Sequence, residues 1–228
     1  MNKYLLLTLL SLVVSKNIIL VGDSRYVGMA TSLMGFSYST IKNNGGTGTN
    51  VRSTSPRSYA GHSFQVTAEV SASSYTFKST SEIYISLHTQ LKTATAGTIV
   101  LLWLGINDCS AVASTYSFYS GLAQKYPKLT FYAISITGVN ESKTWIKNSS
   151  ARNFNTQLSE KISNGRISNL KYKSILNGND PNTILVDGKP ISIVNYMTAD
   201  GLHYKTEGYK YLWKAMANIF VINKLSIN

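Results

Sequence analysis

From Asn17 to the closing helix, short continuous apolar runs alternate with stretches of helical periodicity, and this alternation restricts the fold more than any other feature of the chain. Asn17-Ile18-Ile19-Leu20-Val21 stops at Gly22, and residues 98–104 read Thr-Ile-Val-Leu-Leu-Trp-Leu. Runs that are apolar at every position, rather than at every second one, belong to strands covered on both faces. Leu129 to Ile136 reads as another strand and Leu170 to Ile175 as a fifth, and a weaker strand is expected over 37–41. Between them, Tyr26 to Met34, the four-residue spacing of Ile83, Leu87 and Leu91, Ser114 to Tyr126 ahead of Pro127, and Ala151 to Ile162 read as helices. Tyr209, Leu212, Met216 and Phe220 put an apolar stripe on a last helix over 206–222. Residues 43–50 are expected to form a glycine-rich loop, and the Ser/Thr-rich residues 51–80 a loop with one short element at most. The expected architecture is a three-layer α/β/α sandwich around a doubly wound, mostly parallel five-stranded sheet, a flavodoxin-like layout.

One such core suits a chain of 228 residues with 43% hydrophobic side chains, and neither a repeat nor a linker divides it. The net charge of +12 comes from scarce acids: Lys and Arg number 22, Asp and Glu only 10. The basic residues are dispersed and no basic helix interleaves them with aromatics, so nucleic acid is not an expected partner. A solvated basic surface suits an anionic cell-surface polymer better. The lone Cys109 excludes an intrachain disulfide and a cysteine-based zinc site. His62 and His88 stand at no metal-ligand spacing from carboxylates and are expected to be surface or structural residues.

Residues 1–15 read as a secretory signal, with Lys3 ahead of an apolar run from Leu5 to Val14 and a small residue, Ser15, behind it. The run is too short for a stable membrane span. Residues 16–228 would then form the mature domain, outside the cell. Asn140 and Asn148 each begin an Asn-x-Ser glycosylation pattern, relevant only where the host glycosylates secreted proteins.

In a doubly wound sheet, ligands bind beyond the carboxyl ends of the strands, so the residues that follow each strand carry the functional reading. They are Gly22-Asp23-Ser24-Arg25 after the first strand, Asn43 to Gly48 after the second, Gly105-Ile106-Asn107-Asp108 after the third, and Asp200-Gly201-Leu202-His203 before the last helix. The inventory suits acyl transfer. A serine hydroxyl needs a base to take its proton, an imidazole can do so, and a carboxylate three residues away can fix the tautomer. Amide donors are also at hand for a developing oxyanion. Each segment alone has a plainer reading: a capped turn, a glycine loop, or a loop hydrogen-bond pair. Four of them, each at a strand-to-helix junction, exceed what those readings explain together.

These blocks resemble the SGNH hydrolases, the GDSL-type esterase/lipase superfamily, over about residue 17 to the C-terminal helix. The resemblance implies Ser24 as nucleophile, His203 as base and Asp200 as its orienting acid. It also implies an oxyanion hole from the Ser24 amide, the Asn107 side chain and a loop glycine. Gly48 fits that glycine best, with Gly45 and Gly46 as alternatives by spacing. Gly22, Asp23, Gly105 and Asp108 complete the motifs, and Asp23 is expected to order the nucleophile turn. Such chemistry requires neither cofactor nor metal.

Arg25 departs from the leucine of the family pattern and is similar to a bacterial-type Gly-Asp-Ser-Arg branch. It is expected either to contact substrate or to form a surface salt bridge. Cys109 is read as a packing residue, and Trp103 and Tyr26 as core or cleft wall. The expected function is a secreted esterase that removes short acyl groups, O-acetyl above all, from a carbohydrate. The alternatives are a lysophospholipase or thioesterase of the same fold, and an idle relative that binds glycans through charge.

Overall fold

The computed structural model describes residues 15–43, 46–77 and 80–221. In chain order its elements are β1 (Asn17–Gly22), α1 (Ser24–Met34), β2 (Ser39–Asn43), β3 (Gly46–Arg52), β4 (Arg57–Tyr59), β5 (His62–Glu69), α2 (Glu82–Thr93) and β6 (Ile99–Trp103). There follow α3 (Val112–Lys125), β7 (Thr130–Ile134), α4 (Asn148–Gly165), β8 (Leu170–Lys173), β9 (Leu176–Asn177), β10 (Asp180–Val186), β11 (Lys189–Ser192) and α5 (Thr206–Val221).

The apolar runs become the middle of the main sheet. All of β6 and all of β1 except Asn17 are buried, as two-face coverage requires. Both neighbours of β1 run parallel to it: Leu20 lies opposite Leu101 of β6 and Val66 of β5. With β7 and β8 added in parallel, the order β5-β1-β6-β7-β8 gives five parallel strands, of which β1, β6, β7 and β8 are expected ones. Antiparallel strands extend them to eight: β3 and β4 both pair with β5, along its two halves, and β2 lies outside β3.

Helices cover both faces. Successive side chains of β5 point to opposite sides, so Phe64 meets Trp213 of α5 with ring centroids 5.0 Å apart. On the other side the Thr67 hydroxyl donates to Oε1 of Gln90 in α2 at 2.8 Å. Helices α1 and α5 pack against each other, as do α3 and α4.

Three expectations are corrected. The parallel neighbour of β1 comes from the segment expected to be loop, 51–80, which supplies β4, β5 and the end of β3. The strand expected over 37–41 forms, shifted to 39–43, at the antiparallel edge rather than in the parallel core. The glycine-rich stretch is largely the arms of the β2–β3 hairpin, with Gly46 and Gly48 inside β3; residues 44–45, and Gly45 with them, lie outside the described residues. A further three-stranded antiparallel sheet, β11-β10-β9, follows β8.

Helices α1 and α5 meet so closely at Gly28 that a Cβ there would lie 1.9 Å from the Tyr209 hydroxyl. Alanine is a better helix former than glycine by about 1 kcal/mol, but here the clash reverses the sign. Gly28→Ala should lower stability by about 1–3 kcal/mol in chemical denaturation.

Candidate active site

Strand β1 runs straight into the first of the motif segments. Gly22 lies against β6, where a Cβ would meet the Trp103 carbonyl oxygen at 2.6 Å and the Tyr26 ring at 2.6 Å. Only glycine fits between the two. Asp23 is the N-cap of α1, its Oδ1 accepting from the Arg25 backbone N–H at 2.9 Å. Ser24 is therefore the first residue of the helix, and its own N–H is one of the donors that a helix start leaves without an intrahelical partner.

The segment before α5 brings the second half of the site. His203 Nε2 lies 2.8 Å from Ser24 Oγ, and His203 Nδ1 lies 2.6 Å from Asp200 Oδ2. A carboxylate accepts from Nδ1–H, which leaves Nε2 free to accept from the serine hydroxyl. The two oxygens of Asp200 divide the work. Oδ1 accepts from the Thr198 hydroxyl at 2.7 Å and from the backbone N–H groups of Leu202 at 2.9 Å and His203 at 3.0 Å, which leaves Oδ2 for the imidazole. Partial burial raises the Asp200 pKa, but these bonds to His203, Thr198 and Leu202 outweigh it and hold the carboxyl well below the usual carboxylate range. The side chains of His203 and Asp200 are 33% and 51% exposed, so substrate and water can reach the relay.

Arg25 is neither of the things expected of it. It is 1% exposed, which rules out a surface salt bridge, and its guanidinium is occupied by the protein itself. Nε donates to the Leu202 carbonyl at 3.3 Å, Nη1 to the Thr137 carbonyl at 2.9 Å and hydroxyl at 2.8 Å, and Nη2 to the Gly138 carbonyl at 2.9 Å. The Tyr204 and Trp103 rings lie 5.2 and 5.9 Å from Cζ. The side chain thus ties α1, the helix that begins at Ser24, to the turn after β7 and to the residue before His203.

The loop after β6 presents Asn107, whose Nδ2 donates to the Ala72 carbonyl at 3.0 Å. Gly105 has φ +129°, and a Cβ there would meet the Phe154 ring at 2.3 Å. Asp108 shapes the same turn, its carboxylate accepting from the Ser110 hydroxyl at 2.9 Å. The segment facing Asn107 is accordingly the turn after β5, Glu69 to Ala72, with Ser71 at φ +61°. Gly48 sits opposite Ile41 within β3, separated from β1 by β5. The sequence reading missed Ala72 because it placed the second strand one hairpin too early. Thr198 and Thr137 were missed as well, and only Thr198, two residues before Asp200, could have been suspected.

The remaining candidates fall into structural places. Trp103 and Tyr26 are buried with their rings 5.1 Å apart. Burial raises the Cys109 thiol pKa to about 11, against a smaller opposing effect of Arg25, so the group is a protonated packing residue at neutral pH. His88 lies against the Tyr84 and Tyr126 rings and His62 against Phe64 and Trp213. The Asn148 amide bridges both backbone groups of Val139, at 2.8 and 3.0 Å. Among the described residues no three His, Cys, Asp or Glu side chains gather to hold a metal ion.

No protein-family model matches the chain, and no curated protein matches it in sequence. Among solved structures it is similar to a lipase/acylhydrolase from Enterococcus faecalis, at 13% identity and TM-score 0.49 over 90% of this chain and 95% of that one. A phospholipase A1 from Streptomyces albidoflavus is similar at 14% identity and TM-score 0.45, and an extracellular lipase from Streptomyces rimosus at 13% and 0.44. Each of these two is matched over 90% of this chain and 99% of its own. Likenesses this distant leave the roles of individual residues to be argued from the geometry above.

Burial raises the Asp23 carboxyl to about 6 against the opposing pull of Arg25, its bond to the Arg25 N–H and His203. Between pH 4 and 6 the folded chain holds a proton that the unfolded chain has released. This part of the stability is complete below about pH 4 and falls away as pH rises through 6, by roughly 3 kcal/mol in all. Asp23→Asn keeps the cap acceptor and removes the titration, so its stability relative to the parent should climb by that amount between pH 4 and 7 in denaturant titrations. Arg25→Leu strips the donors from three backbone carbonyls and should cost about 3–5 kcal/mol in the same measurement.

Proposed function

We propose that the chain is a serine esterase, a carboxylic ester hydrolase that removes short acyl groups, acetyl above all, from a carbohydrate outside the cell. The observation that carries the reading is the continuous relay Ser24–His203–Asp200, with hydrogen bonds of 2.8 and 2.6 Å, beyond the carboxyl end of a central parallel strand.

In this reading Ser24 Oγ attacks the ester carbonyl carbon as its proton passes to His203 Nε2. Asp200 holds the imidazole in place and stabilises the imidazolium. The tetrahedral oxyanion is met by the Ser24 N–H and by Asn107 Nδ2, whose second hydrogen remains after the bond to Ala72. The C–O bond to the alcohol breaks, and His203 returns the proton to the leaving oxygen. Water then attacks the acyl-serine with His203 again as base, and the acid and free Ser24 are released. Gly48 has no part in this scheme; the turn ending in Ala72 takes its place by positioning Asn107.

Export rests on residues 1–15, of which 1–14 lie outside the described residues, and no described helix is long and apolar enough to cross a membrane. The net charge of +12 would favour contact with an anionic cell-surface polymer.

Residues 16–228 should hydrolyse p-nitrophenyl acetate faster than the octanoate. Ser24→Ala should reduce kcat by roughly 10⁴-fold, and Asn107→Ala by roughly 10²–10³-fold. A preference for octanoate would replace the carbohydrate reading with a lipid-directed one. Equal inertness of parent and Ser24→Ala would leave a protein that only binds.

A further inference from the structure

Asn107 also forms one wall of an open cleft of about 330 Å³ that lies between the loop after β6 and the start of α4. The volume lies at the lower end of the roughly 300–1,000 Å³ usual for small-molecule sites. Trp145 stands at its rim and is 80% exposed, whereas Trp103 and Trp213 are buried. The segment that carries Trp145 is fixed to the relay: the Asn140 N–H donates to the Gly201 carbonyl at 2.9 Å, between Asp200 and His203. Ile146, 4% exposed, anchors the next residue in the core.

Beside the apolar face of the tryptophan, Asn107, Asp108, Ser110, Ser150 and Asn153 line the pocket and offer both donors and acceptors. Ile106 and Ile146 also line it, but both side chains are covered and present little apolar surface. An acyl chain here would strip water from those polar groups without replacing it, at about 1–3 kcal/mol for each group left unpaired. A sugar ring matches the site better. Its flat C–H face can lie on one aromatic surface while its hydroxyl and ester oxygens reach the polar wall. Lys147 and Asp108 offset each other in charge, which suits a neutral ring.

We propose that this pocket, with Trp145 as its platform, binds an uncharged sugar ring of the acetylated substrate and sets the preference for carbohydrate esters. The proposal rests on the esterase reading of the Ser24 site and adds to it the place where the carbohydrate sits.

The test compares β-D-glucose pentaacetate with triacetin, an acetyl ester without a ring. Trp145→Ala should lower kcat/KM for the sugar ester about tenfold more than for triacetin, chiefly through KM. The substitution is at an exposed position and should leave folding within about 0.5 kcal/mol. In Ser24→Ala, where the ligand persists, glucose pentaacetate should shield the exposed tryptophan from acrylamide quenching, and triacetin should not. Equal losses on the two esters, or no shielding, would overturn the proposal while leaving the esterase intact. Shielding without Ser24-dependent turnover of either ester would retain the sugar pocket and overturn the esterase reading.

Discussion

The geometry of the site hangs on one buried cation. The Arg25 guanidinium donates to the carbonyls of Thr137, Gly138 and Leu202 and to the Thr137 hydroxyl. These groups come from segments more than a hundred residues further along the chain. Its own backbone N–H is held by the Asp23 cap that starts α1. One side chain next to Ser24 therefore fixes the carbonyl next to His203. Burying a charge is costly unless its hydrogen bonds are satisfied, and here they are, with the Tyr204 ring beside the cation and the Asp23 carboxyl nearby. The clamp explains how a half-exposed loop keeps its imidazole 2.8 Å from a buried serine.

The loop itself is ordered from within by Asp200. Three of its four hydrogen bonds go to Oδ1 and serve only to shape the turn, through Thr198, Leu202 and His203. The fourth, from Oδ2, sets the imidazole. Because all four favour the carboxylate, the acid remains charged at neutral pH. Order in the loop and polarity at the relay come from the same group.

Legibility in the sequence followed side-chain chemistry. Strands β1, β6 and β7 read plainly because both their faces meet apolar helices. Strand β5 did not, because its Thr67 is satisfied in the core by Gln90, whose amide also donates to the Ser53 and Val66 carbonyls at 2.9 and 3.1 Å. A buried polar network looks like a loop when only hydropathy is read. That one omission moved the expected second junction to the glycine cluster and the expected oxyanion residue to Gly48, when the turn at Ala72 faces Asn107. The relay was legible because Asp200 and His203 are close in sequence and their chemistry is specific. The role of Arg25 was not, since a lone arginine reads as a surface group until its acceptors, distant in sequence, are brought to it.

The central claim is that Ser24 is the nucleophile that His203 activates. A fluorophosphonate tests it directly, since it is attacked by an activated serine with loss of fluoride, and peptide mass spectrometry locates the adduct. The account predicts one phosphonylated residue, Ser24, modified in the parent and unmodified in His203→Ala over the same time. Modification of another residue instead, or of Ser24 equally fast without His203, would contradict it.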